Sequence, residues 1–443
     1  MTIEPPQAVL EIARTLERHG HEVWAVGGAV RDALLGLDTG DWDLATSARP
    51  KEVRRIFRRT VPIGIEHGTV GVFGADRTLY EVTTFRRDVQ TFGRHAVVEF
   101  ADTVEEDLAR RDFTLNAIAW HPLRRELHDP FGGIDDLAAH VLRTVGEPAD
   151  RFAEDYLRVL RALRFAGHFD LDTEPRTWAA LVEVVPRLAA LSAERIREEL
   201  WKVLGKTGPA SRTLRLYERS GALMQLYPEL AALVGLELDD RAEAWSRTLS
   251  AVDALPPMRT LLRLAALLHG VGLPSARSRD LRGGWRHVGH EKIGARKAVD
   301  IMKRLKASNA DTERVATLVA RQSDLFPPDA PPAGVRRWLR DVSPELVRDL
   351  FRLRIALWRA HPVERGHRDL CERWRLAHAA LLDHPVLDVS GLAIGGHDLG
   401  ELGIRPGPRY GEILRALLDR VIEDPSLNER GHLLELAQAM IDG

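Results

Sequence analysis

The sequence predicts an α+β protein, with a mixed head of short strands and helices up to about residue 140 and an all-helical remainder. Two observations carry this. Five β-branched or alternating stretches, 21–26, 41–45, 69–73, 78–85 and 96–100, read as strands, with helical patterns between them, as in 6–19 and 30–35. From about Asp150 onward the strand signal stops, and apolar residues recur at three- and four-residue spacing, as in 195–204, 259–268 and 344–359.

At 443 residues the chain exceeds one ordinary core, so several domains are expected. The segment Phe326-Pro327-Pro328-Asp329-Ala330-Pro331-Pro332 reads as a break within the helical part. Apolar runs such as 261–268 are too short, and too interrupted by Arg263, to span a bilayer. No signal peptide is evident, and Cys371 is the sole cysteine, so a reducing, cytoplasmic setting is expected. The formal net charge of −2 does not announce a polyanionic partner, so any basic surface is local. The basic residues are mostly Arg, which offers phosphates and bases a planar, bidentate donor fork.

The first chemical motif is Gly27-Gly28-Ala29-Val30-Arg31-Asp32, followed by Asp41-Trp42-Asp43. A glycine pair lets backbone N–H groups approach a phosphate, because no Cβ intervenes. Two aspartates at i and i+2 on a strand share a face, and that spacing suits divalent cations, which want hard oxygen ligands. Together these features read as a site that holds a triphosphate, binds Mg²⁺ and transfers a nucleotidyl group. A third carboxylate is needed to help deprotonate an attacking hydroxyl. Glu81, on an expected neighbouring strand, is the candidate; Asp112 is the alternative, or else it orients Arg111 or caps a helix.

The second motif is Glu154-Asp155-Tyr156-Leu157-Arg158-Val159-Leu160-Arg161-Ala162-Leu163-Arg164, expected as one helix. Asp155 and Arg158 are i, i+3 neighbours and could form an ordinary ion pair on a solvated face. The alternative uses hydrogen-bond chemistry. An ionised Asp only accepts and an Arg only donates. That set fits the amino donor and adjacent acceptor of cytosine or adenine, whereas uracil and guanine present the reverse order. Arg161 and Arg164 would then be available to the ribose or triphosphate.

These motifs, with Arg110-Arg111-Asp112-Phe113-Thr114-Leu115-Asn116-Ala117, Asp129-Pro130-Phe131-Gly132-Gly133 and the stretch 398–408, occur in an order and spacing that closely resemble one family. It comprises the bacterial-type (class II) tRNA nucleotidyltransferases, or CCA-adding enzymes, and their relatives the bacterial poly(A) polymerases. The resemblance covers the whole chain. It implies a polymerase-β-like nucleotidyltransferase head with a small mixed or antiparallel sheet (1–140), a neck with base-reading helices (141–205), a helical body (206–326) and a tRNA-binding tail (327–443). It implies that Asp41 and Asp43 are catalytic and hold Mg²⁺, that Gly28 and Arg31 meet the triphosphate, and that Arg111 joins the nucleotide pocket. It also implies that Asp155 and Arg158 act as a protein template for C and A, with Arg161 and Arg164 beside them. The expected partners are CTP, ATP and the tRNA 3′ end, with no membrane and no obligate protein partner.

Three stretches refine the expectation. Arg86 to His95 is the polar, glycine-bearing segment expected to move when addition switches from C to A, and Gly93-Arg94-His95 is similar to enzymes that can add A. CC-adding-only or A-adding-only activity is the alternative. Ile65-Glu66-His67-Gly68-Thr69-Val70 is similar to the tRNA enzymes and unlike the arginine-rich strand of the poly(A) polymerases. Leu267 to Pro274, with His287 and His290, resembles the HD phosphohydrolase pattern, yet Gly270 stands where a ligand aspartate should follow His269. A helical scaffold without hydrolase activity is therefore expected; an RNA-binding protein built on that body is the alternative from another class.

Overall fold

A computed structural model describes residues 3–442 except 93–94, 207, 240–241, 280, 282–283 and 362–365, and between 88 and 98 it describes the backbone. The chain forms two compact units, one of residues 1–203 and 212–227, the other of residues 204–211 and 228–443.

The first unit opens with α1 (Gln7–Arg18), which buries Val9, Ile12, Ala13 and Leu16, an apolar stripe at helical spacing. Seven strands follow in one mixed sheet: β1 (Val23–Val26), β2 (Asp43–Thr46), β3 (Thr60–Gly64), β4 (Thr69–Phe73), β5 (Leu79–Thr84) and, beyond a separate hairpin, β8 (Ala119–His121) and β9 (Glu126–His128). Their order is β3-β4-β5-β2-β1-β8-β9. β2 and β5 run parallel, with Leu44 opposite Val82; the other neighbours are antiparallel. Short β3, β8 and β9 carry no alternation long enough to read in the sequence. Against the sheet stand α2 (Gly28–Leu34), α3 (Pro50–Ile56), α4 (Val104–Ala109) and α5 (Gly133–Ala138). Trp24, Val26, Ala45, Phe85, Leu108 and Ala119 belong to one buried cluster there.

The expected strand 41–45 is corrected: β2 begins at Asp43, and Asp41 lies in the approach to it. The shared face survives, because Trp42 is buried between two exposed aspartates. The segment 86–95, expected to move when addition switches from C to A, is paired as strands. It is a hairpin of β6 (Arg86–Phe92) and β7 (His95–Phe100), with a register shift between Asp88 and Gln90. Gly93 and Arg94, between Phe92 and His95, lie outside the described residues.

The Asp129 to Gly133 motif is architectural. Both Asp129 carboxylate oxygens accept backbone N–H groups at the start of α5, from Gly133 and Ile134, each at 2.8 Å. Gly133 itself lies so close to the 3₁₀ turn Thr114–Asn116 that a Cβ would stand 2.2 Å from the Thr114 carbonyl oxygen. The motif thereby presses α5 onto the segment that follows Arg111.

The expected single helix 154–164 is also corrected. It is two helices, α6 (Pro148–Glu154) and α7 (Leu157–Phe169), with Asp155 extended between them. Strand pairing does not stop at residue 150 either. Val141–Leu142 pairs in parallel with Asp172–Thr173, and two-residue or three-residue ladders recur at 237–243 and 278–286. Pieces this short give no periodic signal.

The second unit is helical. Helix Thr260–Leu268 buries every residue from Leu262 to Leu268, as a central helix does. Asp349, 4 % exposed, accepts hydrogen bonds from Arg259, Arg314 and Arg352. Phe326, Trp338, Phe351 and Trp374 stack edge to face in series. The last helices, Pro408–Glu423 and Arg430–Asp442, close on a cluster that includes Leu399, Leu417, Val421 and Leu433. Among the described residues no helix is long and apolar enough to cross a membrane.

Gly133→Ala forces a methyl against a backbone oxygen that cannot swing aside. It should lower stability by about 1–3 kcal/mol or more, read as a lower urea midpoint in tryptophan fluorescence.

Candidate active site

The exposed edge of β2 gathers the first group of candidates. Asp43 opens the strand, and Glu81 lies on the adjacent β5, next to Val82, which pairs with Leu44. The protein crowds around Asp43 even though the residue is solvent-accessible. That desolvation and the Glu81 charge raise its pKa to about 6, with Asp41 adding and Arg111 opposing. A carboxylate raised in this way by its neighbours would be relieved by a cation. Among the described residues no cluster of three or more His, Cys, Asp or Glu side chains is arranged as a complete metal site. A two-carboxylate edge still fits Mg²⁺, which keeps waters and substrate phosphates in its coordination sphere.

Across from this edge, Gly27 turns at φ +78° into α2. A Cβ there would lie 3.1 Å from Arg111 Nη1 and 3.9 Å from Asp43 Oδ2, so glycine, guanidinium and carboxylate share one small space. Arg111 is steered by Asp107 (3.1 Å) and the Asn116 carbonyl (3.3 Å), while its Nε is buried without a partner. An unpartnered buried N–H beside a glycine turn is the donor set an anion requires.

Arg31 lies beside Gly28, where a Cβ would stand 3.6 Å from its Nη2. It donates to Asp32 (2.8 Å) and Asn116 Oδ1 (2.6 Å), and lies over the Phe165 and Phe169 rings. Asn116 donates in turn to Asp112 (2.9 Å), which also accepts from the Phe113 amide (3.0 Å) and Arg161 Nε (2.7 Å). Burial alone would push the Asp112 pKa up, but Arg161 and Asn116 hold it below the ordinary carboxylate value. Asp112 thus orients Arg161 and Asn116 rather than Arg111, whose carboxylate partner is Asp107. Arg164 is committed to Glu199 (2.7 Å) and the face of Phe165.

Asp155 and Arg158 do not pair with each other. Asp155 takes both Arg195 nitrogens, at 3.0 and 2.6 Å, and accepts from the Leu157 amide. Arg158 bonds Glu154, the Arg151 carbonyl and the Arg110 carbonyl. The i, i+3 surface pair is therefore replaced by two separately anchored groups, an acceptor and a donor. Glu154, Arg195 and Asn116 were missed from the sequence. Glu154 stands four residues before Arg158 and was readable; Arg195, forty residues beyond Asp155, was not.

A glycine-opened helix beside an acidic strand edge in a mixed sheet defines a nucleotidyltransferase head. Residues 23–143 match the family model of the poly A polymerase head domain, 170–233 that of the probable RNA and SrmB-binding site of polymerase A, and 229–353 the HD domain. A CCA-adding enzyme of Geobacillus stearothermophilus is 36 % identical over 97 % of this chain and 96 % of its own. One from Limosilactobacillus fermentum is 32 % identical over 100 % of both. A stronger local match, 44 % identity to an enzyme of Anoxybacillus flavithermus, spans 54 % of this chain and 62 % of that relative. The solved CCA-adding enzyme of Bacillus stearothermophilus in complex with CTP superposes with TM-score 0.76 at 30 % identity, over 99 % of this chain and 98 % of that one. The chain belongs to the CCA-adding enzymes, which are tRNA nucleotidyltransferases and require a divalent metal.

Asp112→Asn leaves Arg161 facing a neutral amide. Arg161 keeps 32 % of its side chain exposed, so the expected loss at neutral pH is about 1–3 kcal/mol, below that of a fully buried pair. The folded-state pKa of Asp112 is depressed, so its contribution is present above the unfolded value of about 3.9 and fades as pH falls through the folded value. The wild-type and variant melting curves should therefore converge in acid.

Proposed function

We propose that this chain adds CMP and AMP, from CTP and ATP, to the 3′ end of tRNA, completing or repairing the CCA terminus. The reading rests on one observation above all: near-full-length likeness to CCA-adding enzymes in a chain that carries both the Asp41/Asp43 edge and the separately anchored Asp155 and Arg158. The terminal hydroxyl of tRNA attacks the α-phosphorus, a new P–O bond forms, and pyrophosphate leaves as the α–β bridge breaks.

Asp41 and Asp43 would hold Mg²⁺, which supplies charge neutralisation on the triphosphate and activation of the hydroxyl. Glu81, the neighbour that acts on Asp43, is the group assigned to receive the hydroxyl proton. Gly27, Gly28 and the unpartnered Arg111 Nε receive the triphosphate. Arg31 contributes from beneath by bracing Asn116. Asp155 accepts from the amino group of C or A and Arg158 donates to the adjacent acceptor. Arg161 and Arg164 keep the reading helix charged and oriented through Asp112 and Glu199. The neck, body and tail expected at 141–205, 206–326 and 327–443 would carry the tRNA, and the enzyme would work in the cytoplasm as a single chain.

Asp43→Asn should abolish both C and A addition while tRNA affinity, measured by filter binding, stays within about threefold, because metal-dependent neutralisation acts at the transition state. Asp155→Ala should slow addition and raise UTP and GTP misincorporation relative to CTP and ATP; selectivity unchanged across the four nucleotides would return Asp155 to a purely structural role. Offering each nucleotide singly to tRNA ending at the discriminator base, at C or at CC separates full CCA addition from a CC-only enzyme. Replacing 92–95 by a Gly/Ser linker should depress A addition onto tRNA ending in CC more than C addition.

A further inference from the structure

In the helical unit a cavity of about 630 Å³ opens beside the histidine motif, within the size range of small-ligand sites. His269, His287 and His290 line it together with Arg247, Arg286 and Arg354. Its acidic lining residue is Glu291, whose carboxylate lies 3.4 Å from His290 Nδ1. Three arginines, three histidines and one carboxylate thus line it. Leu238, Leu273 and Leu357 supply an apolar wall.

The donor set does not suit a metal. A side chain at Gly270 would not reach a cation, since a Cβ there meets Leu273 Cδ1 at 3.1 Å and Leu233 Cδ1 at 3.5 Å. The lining suits an anion instead. His287 Nε2 and Arg354 Nε are buried without a hydrogen-bond partner, which is costly unless a ligand satisfies them. Gly289 turns at φ +76° into helix His290–Arg304, and no side chain caps its first turn. Burial lowers the His269 pKa to about 4, so the ring is neutral. With Nδ1 against the Ala266 carbonyl at 2.7 Å, the other ring nitrogen is an acceptor, suited to a ligand hydroxyl.

We propose that this cavity is a metal-independent binding site for a phosphorylated ligand of mononucleotide size. Its phosphate is received by Arg354, His287 and the first turn of helix His290–Arg304, its sugar hydroxyl by His269, and its apolar part by the leucine wall. The site retains the ligand and leaves the phosphoester bond intact.

The test is equilibrium dialysis of the full-length protein against AMP, inorganic phosphate or adenosine in EDTA, which removes metal-dependent binding at the head. AMP should bind with one site per chain, more tightly than either phosphate or adenosine. His287→Gln and Arg354→Met should each weaken AMP about tenfold or more, and Asp43→Asn should leave it unchanged. Arg354 also donates to the Gln322 carbonyl at 2.7 Å, so that variant counts only if its melting curve matches wild type; His287→Gln, at a half-buried position before helix His290–Arg304, carries the test otherwise. No AMP binding at millimolar concentration, AMP binding lost in Asp43→Asn, or AMP binding unchanged in His287→Gln would each overturn the proposal. Phosphate binding as tightly as AMP would overturn the mononucleotide assignment.

Discussion

Burying one carboxylate, Asp112, ties α2 to α7. A charge taken out of water is tolerable only when its oxygens are satisfied. Asp112 meets that requirement with donors from three places: the Phe113 amide, Asn116 and Arg161 on α7. Asn116 has one amide group, so once its nitrogen serves Asp112 its oxygen turns to Arg31 on α2. The bonds thus run by donation from Arg31 on α2 through Asn116 to Asp112, where Arg161 on α7 donates from the other side. Asp129 and Gly133 reinforce it from below by fixing the turn in which Asn116 sits.

The arginines divide by what water they keep. Arg111 retains an unsatisfied buried N–H next to the glycine turn. Arg31 and Arg164, each under a tenth exposed, have carboxylate partners and aromatic faces. The first arrangement leaves a donor open to an anion, as the proposed triphosphate site needs; in the second the donors already serve the protein's own carboxylates. A guanidinium serves both because it is always protonated and presents donors in a fixed fork. Arginine-rich composition alone cannot separate these uses.

Much of the fold was legible because its signals are local. The strands at 69–73 and 78–85 and the helix at 6–19 follow from alternation and from the spacing of Val9, Ile12 and Leu16. The α+β division came from the loss of strand signal after the head. The break at Asp155 was hidden, because apolar spacing continues through it and no Gly or Pro marks it. In the sequence Asp112 reads as the alternative third carboxylate, a helix cap or an orienter of Arg111, because sequence neighbours are the ones visible; its ion-pair partner, Arg161, lies 49 residues away. The Asp155–Arg195 clamp is equally non-local. Pairings across helices depend on how the helices pack, and residue spacing along the chain does not encode that.

The extended residue between α6 and α7 bears on the redesign of nucleotide choice. Asp155 owes its position to the break between α6 and α7, to Arg195 and to the first amide of α7, whereas Arg158 owes its position to Glu154, to the Arg151 carbonyl on α6 and to the Arg110 carbonyl. The two halves of the proposed reader are therefore held by different partners. Grafting the eleven-residue motif 154–164 into another scaffold would carry Glu154 and leave Arg195 behind. The transplanted acceptor would lose its clamp, and the donor, without the Arg151 and Arg110 carbonyls, would keep Glu154 alone. The transferable unit is a pair of helices with their shared corner, and a change of base preference is more reachable through residues that hold Asp155 and Arg158 than through those two themselves.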